Sequence, residues 1–218
     1  MTYKNIKTGI SHLHNNLIRM GVLVERQLDL SIRALLESNM EFAETVKRED
    51  QPIDDLQREI EDEAIKLIAT QQPVASDLRI IFTTIKIVTD LERMGDHAVD
   101  IARIAINLRE NPVTLLNDDL VAMKDTVTTM IQEALDAFVC MDEAKAYEVT
   151  KLDDIVDDYY VTGIRKLYDL AQNDPSLLKQ AAQLNFVTKY MERMGDHVTN
   201  ICEWTIYIVT GEFVQLNL

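Results

Sequence analysis

The sequence predicts an all-α protein of six helices, arranged as two tandem, pseudo-symmetric three-helix bundles, and three observations predict it. The 218 residues include only six glycines and four prolines, too few breakers for a many-stranded sheet. Apolar residues recur at three- and four-residue steps, as in Leu184, Val187, Met191, Met194, Val198, Ile201 and Ile208, which is the stripe of an amphipathic helix. The chain also repeats itself, since Glu-Arg-Met-Gly-Asp-His occupies residues 92–97 and again residues 192–197.

The elements follow in order from the sparse punctuation. In "ESNMEF" Asn39 is placed to cap the second helix. "TQQPVASD" ends that helix and opens the third, with Pro73 suited to its first turn. "ENPVTLLNDD", residues 110–119, reads as the linker that divides the chain into residues 1–112 and 113–218. In the later copy Asp142 is the equivalent cap, Pro175 suits the start of the last helix, and Gly211 stops it. "ALLESNMEFAETVKREDQPIDD" aligns with "AFVCMDEAKAYEVTKLDDIVDD" at a shift of 103 residues, so Asp50 and Asp54 match Asp153 and Asp157. Beyond the second loop the shift is 100. A repeat this long, present twice, is no solenoid unit and reads as two bundles of three helices. The nine methionines read as flexible core filler.

Charge and cysteine usage narrow the function. With 37 acidic and 22 basic residues the net charge is −15, which argues against a phosphate-backbone partner and so against nucleic acid. The same charge disfavours an anionic membrane surface. Cys140 and Cys202 stand far apart in no metal or redox spacing, so a reducing compartment is expected. The N-terminal stretch lacks an apolar run of signal-peptide length, and nothing later approaches the roughly 18 apolar residues of a membrane span. A cytoplasmic location follows as an expectation.

The repeated hexapeptide carries the chemistry. Glu192 and Asp196 are four residues apart, hence about 40° apart on a helix and one turn above the other. Asn200 extends the column and Glu203 returns to within about 20° of Glu192, opposite the apolar stripe. A solvated face is the plain alternative, yet carboxylates one turn apart repel by a few tenths of a kcal/mol. Nor does a solvated face explain six residues kept identical. A cation between the carboxylates removes the repulsion. Asp153 with Asp157, and Asp50 with Asp54, supply a second pair in each half, so four carboxylates from neighbouring helices can converge. All-oxygen ligands favour hard cations such as Mg, Mn, Ca or iron.

Other residues take supporting roles in this reading. His97 and His197 lie about 100° round from the adjacent aspartates, an angle that suits hydrogen-bond partners better than ligands. Arg93 and Arg193 are placed to neutralise nearby acids, and Gly95 and Gly195 suggest close approach by a neighbouring helix or by ligands. Pro52 is expected to kink the second helix or to begin it, which would make Asp50 a cap and take it from the column. The third helix of the first half is apolar on both sides. Leu78, Ile81, Ile85, Val88, Val99 and Ile106 stand opposite Ile80, Ile87, Met94 and Ile101, so another surface is expected to cover it: the other half, a second copy or a transporter subunit.

With these residues in view the chain resembles the PhoU family of phosphate-uptake regulators over nearly its whole length. The resemblance rests on the tandem halves, "LIATQQPVASDLR", "DLERMGDHAVDIA" and "YMERMGDHVTNICEWTIYIVTGE". It implies iron or zinc clusters, or other divalent or trivalent ions such as Mn or Mg, held on E(D)xxxD pairs. The implied ligands are Asp50, Asp54, Glu92 and Asp96, then Asp153, Asp157, Glu192 and Asp196, with Asn200 and Glu203 continuing the second column. The first half departs from the pattern with Asp100 in place of Asn and Arg103 in place of Glu, so the two sites are expected to be unequal. The resemblance further implies a homodimer that acts with the phosphate ABC transporter and a phosphate-sensing histidine kinase to repress the phosphate-starvation response. No catalytic constellation is recognisable, and no non-metal cofactor site. A carboxylate-bridged metalloenzyme and a plain helical scaffold are the competing readings.

Overall fold

A computed structural model describes residues 2–216. It contains α1 (Thr2–Leu36), α2 (Met40–Gln71), α3 (Ala75–Asn107), α4 (Asn117–Cys140), α5 (Glu143–Thr150), α6 (Asp153–Asn173) and α7 (Leu178–Thr210), with a 3-10 turn at Pro175–Leu177. The described residues include no strand. The first three helices pack on one another as a bundle, and α4, the pair α5 and α6, and α7 form the second.

Local chemistry sets several helix ends. The Asn39 side chain accepts from the backbone N–H groups of Glu41 and Phe42, and Asp142 accepts from Lys145. Gly211 closes α7 at φ 79°, a left-handed conformation with no Cβ to obstruct it, and donates its N–H to the Tyr207 carbonyl at 2.9 Å. Pro175 opens the 3-10 turn ahead of α7. Pro73, by contrast, lies outside its helix, because α3 begins at Ala75 after an extended Val74.

The expectation for Pro52 is corrected. Helix α2 runs uninterrupted through it, and Asp50 is an interior helical residue, not a cap. Pro52 is exposed, so the ring faces solvent and the helix loses one backbone hydrogen bond. The buried stripe of Ala43, Val46, Ile53, Leu56, Ile60 and Ala64 continues in phase on both sides, and this packing holds the helix together. The break falls instead in the second half, where neither Pro nor Gly marks it. Between α5 and α6 the N–H groups of Lys151 and Leu152 bond back three residues, to Glu148 and Val149, which tightens the chain before α6 restarts at Asp153.

The halves join through α3 against α7 and α1 against α4. One continuous apolar core runs through both, with Met20, Met94, Met123, Met130, Met191 and Met194 fully or almost fully buried in it. The apolar second face of α3 is thereby covered by the other half. Ile81, Val88 and Val99 are buried, Ile85 and Ile106 half-buried, and only Leu78, near the start of the helix, stays 41% exposed. Among the described residues no helix is long and apolar enough to cross a membrane.

Candidate metal centre

In the second bundle the break before α6 puts Asp153 in the first turn of that helix, facing α7 and only 8% exposed. Thr199 donates its hydroxyl to Asp153 Oδ2 at 3.0 Å, while Oδ1 is buried with no hydrogen-bond partner among the described residues. Gly195 makes this approach possible, since a Cβ there would fall on Asp153 Oδ1. The close neighbour that the glycine admits is therefore a carboxylate. Asp157 stands one turn further along α6, Asp196 is half-buried on α7, and both border with Asp153 and Thr199 an open cleft of about 340 Å³. Glu192 is clasped by Lys189, whose Nζ lies 2.6 Å from Oε1 and 2.5 Å from Oε2. Oε2 accepts no well-aligned hydrogen bond, but the ammonium is its counter-charge.

These acids act on one another. Burial pushes the Asp153 carboxyl up to about 7, against the Thr199 hydroxyl, and repulsion from Asp157, Asp196 and Glu192 adds to it. Burial and then Glu192 raise both Asp157 and Asp196, with Lys189 opposing.

The first bundle assembles Asp50, Asp54, Glu92 and Asp96 from α2 and α3, all half-buried. Burial raises Asp50, followed by repulsion from Asp54 and Asp96, while Arg103 opposes the shift. Glu92 is raised by burial and Asp96, with Arg93 opposing. Arginines surround this set. Arg93 lies 3.1 Å from Asp96 and 3.5 Å from Glu92, and Arg58 is 3.9 Å from Asp54. Gly95 here faces Ile53 Cδ1 and Gln27 Oε1, each at 3.4 Å from where a Cβ would stand.

The donor chemistry of both sets suits a hard, oxygen-seeking cation: mutually repelling carboxylates, and in the second bundle a buried carboxylate oxygen without a partner. The sets are not closed coordination shells. Among the described residues no three His, Cys, Asp or Glu side chains are placed to hold one ion. Burial pushes the Cys202 thiol up to about 12, so it is protonated at pH 7.

Three residues expected at the ends of the columns have other partners in the structure. Asn200 donates to Asp90 Oδ1 of the first bundle at 3.1 Å, and His197 Nδ1 meets the same oxygen at 2.9 Å. Glu203 is 5% exposed and accepts the Leu216 N–H at 2.6 Å. Asp100 is paired with Arg103 at 2.6 Å. A single-helix projection leaves this side of α7 open, whereas in the fold α3 and the C-terminal segment cover it. His97 is buried at the same seam between bundles, stacked on Tyr190 at 5.4 Å and 5.7 Å from the His197 ring. Burial, then the cationic form of His197 and Arg193, lowers its pKa to about 4, so it is neutral at pH 7. Sequence reasoning missed Lys189, Thr199 and Asp90. The first two were within reach, at i−3 and i+7 from Glu192, but Asp90 finds its partners across the seam and no local pattern announces it.

Fold and site together define a class: tandem three-helix bundles, each facing two carboxylate pairs across its second and third helices. The PhoU domain family matches residues 17–105 and 120–205. The chain belongs to the PhoU family. It is similar over its full length to a "phosphate-specific transport system accessory protein PhoU homolog" of Clostridium acetobutylicum, with 46% identity over 218 residues and 100% of each chain covered. A protein of the same description from Pseudomonas putida is 36% identical over 209 residues, covering 94% of this chain and 81% of that one. Two crystal structures share the fold. PhoU from Pseudomonas aeruginosa gives a TM-score of 0.89 at 35% identity, covering 94% of this chain and 99% of that one. The phosphate transport system regulatory protein PhoU from Streptococcus pneumoniae gives 0.90 at 29% identity, covering 97% and 100%.

Proposed function

We propose that the chain is a non-enzymatic, metal-binding regulator of phosphate uptake. In this reading it is a cytoplasmic homodimer that acts with a phosphate ABC transporter and a phosphate-sensing histidine kinase to repress the phosphate-starvation response. The end-to-end match to accessory proteins of the phosphate transport system carries the regulatory part. The metal part is supported by Asp153, a carboxylate kept buried beside three others with one oxygen unpartnered. Asp153, Asp157, Glu192 and Asp196 would hold iron, zinc, Mn or Mg in the second bundle, and Asp50, Asp54, Glu92 and Asp96 in the first. A bound cation would supply the positive charge that these acids lack. The chain's own part is to hold the acids on two helices at the spacing of one turn, with Gly195 admitting Asp153 and Lys189 screening Glu192 until a stronger counter-charge arrives.

The test is Glu192→Gln with Asp196→Asn. Metal content by elemental analysis should fall by the second-bundle share while far-UV helicity is retained. Cells carrying the double variant should lose repression of starvation genes in phosphate-rich medium. Unchanged metal content would refute the ligand assignment. Full repression in cells lacking the whole gene would refute the regulator, and turnover of phosphate esters by the metal-loaded wild type would favour the enzyme instead.

A further inference from the structure

The residues beyond α7 turn back along it. Past Gly211, the Thr210 hydroxyl accepts the Glu212 N–H at 3.1 Å, and Phe213 lies against the Trp204 ring with centroids 5.1 Å apart. Leu216 then donates its N–H to Glu203 and forms part of the wall of the second acid cleft, beside Asp153, Asp196 and Thr199. Glu203 follows Asp196 by seven residues, two turns along and roughly 20° round, so it stands on the same side of α7 as the acid column. A carboxylate as buried as this one needs partners, and among the described residues the Leu216 N–H at 2.6 Å is the hydrogen bond it accepts. The first bundle has no counterpart. Its equivalent position is the exposed Arg103, and α3 runs on into the linker to α4.

We propose that residues 211–216 form a strap that narrows the second cleft in the cation-free protein and is released when a cation enters, freeing Glu203 to face it. The inference rests on the metal reading above and adds to it an exchange: strap and cation compete for one carboxylate. Occupancy of the second bundle thereby changes the surface that the C-terminal segment presents, and occupancy of the first does not.

Trp204 is the sole tryptophan and touches the strap through Phe213, so its emission reports the exchange. Zn²⁺ titrated into the chelator-treated full chain should change Trp204 emission with the same midpoint as the calorimetric step that Glu192→Gln/Asp196→Asn removes. The Leu216 amide should lose its protection from hydrogen exchange at the same point. A chain truncated after Glu212 should bind Zn²⁺ roughly tenfold tighter, since the bond to a charged acceptor no longer has to be broken. Phe213→Ala in the full chain, which loosens the strap without shortening it, should bind about threefold tighter and stands in if the truncated chain loses helicity. In Glu192→Gln/Asp196→Asn the emission change should vanish. Zn²⁺ binding by the wild type with unaltered emission and a still-protected Leu216 amide, or no gain in affinity from either variant, overturns the strap alone. A wild type that binds none of Zn²⁺, Mn²⁺, Mg²⁺ and Fe³⁺ overturns the metal reading and the strap with it.

Discussion

In the first bundle Ile53 and Gln27 face the glycine of the repeated hexapeptide, each 3.4 Å from where a Cβ would stand, and in the second bundle Asp153 Oδ1 stands far closer to that place than Val156 does. The third helices are alike here, so the difference comes from the helices they face. In the first bundle α2 passes Pro52 without a break and keeps Asp50 half-buried, with arginines around the acid set. In the second bundle the tightened turn at Lys151 and Leu152 lets α6 restart with Asp153 turned inward. The motif fixes which acids α3 and α7 present. The facing helices decide whether the space beside the glycine is bordered by hydrocarbon and a neutral amide or by a carboxylate, and so how strongly the site would call for a cation.

The largest effect expected from this contrast is at the glycines. Gly195→Ala places a methyl group on Asp153 Oδ1, and Asp153 cannot retreat without losing Thr199. The cost should be about 2–3 kcal/mol in urea unfolding, together with loss of second-bundle metal. Gly95→Ala meets only the ends of Ile53 and Gln27, which can give by a few tenths of an ångström, and it gains about 1 kcal/mol of helix propensity. It should stay within about 1 kcal/mol of wild type. Equal costs at the two positions would mean that Asp153 is not the tightly seated group.

Next comes a pH dependence carried by Asp153. Its carboxyl is raised from 3.8 to about 7 in the folded chain, so between those values the folded state keeps a proton that the unfolded state has lost. Stability of the cation-free protein should therefore fall as pH rises through this window and level off above about 7. Water in the open cleft reduces the effect to on the order of 1 kcal/mol. Asp153→Asn, which can still accept from Thr199, should remove most of the decline, whereas Asp50→Asn should change it less. Urea midpoints measured across the window check this, and an identical slope in Asp153→Asn would assign the effect elsewhere.

What the sequence made legible was what depends on neighbours along the chain. Asn39, Asp142 and Gly211 act within a turn of themselves, and the Glu-x-x-x-Asp columns depend only on helical geometry. The two-sided apolarity of α3 also foretold a covering surface, which proved to be α7. Pro52 misled because its local cost was weighed without the buried stripe that carries α2 through it. The break at Lys151 and Leu152 has no breaker residue to reveal it. Asn200 and Glu203 continue the column by angle, but their partners, Asp90 in the other bundle and Leu216 on the returning strap, are chosen by tertiary packing.

The smallest expected effect comes from giving the first bundle the second bundle's pattern, with Asp100→Asn and Arg103→Glu. The ion pair that is lost lies at the surface, so stability should change by no more than about 0.5 kcal/mol. The new asparagine would face Tyr190, the residue that occupies in the second half the place of Asp90, and would gain no carboxylate to hold. The new glutamate would have no returning strap to bind, because α3 leads into the linker. It would instead replace the positive charge that now holds Asp50 down, so Zn²⁺ should bind the first bundle about threefold tighter with no change in Trp204 emission. An emission change in this variant would show that Trp204 senses cations by some route other than the strap. Unaltered affinity would show that a free glutamate at this helix position does not reach the acid column, and that Glu203, once released, does not reach it either.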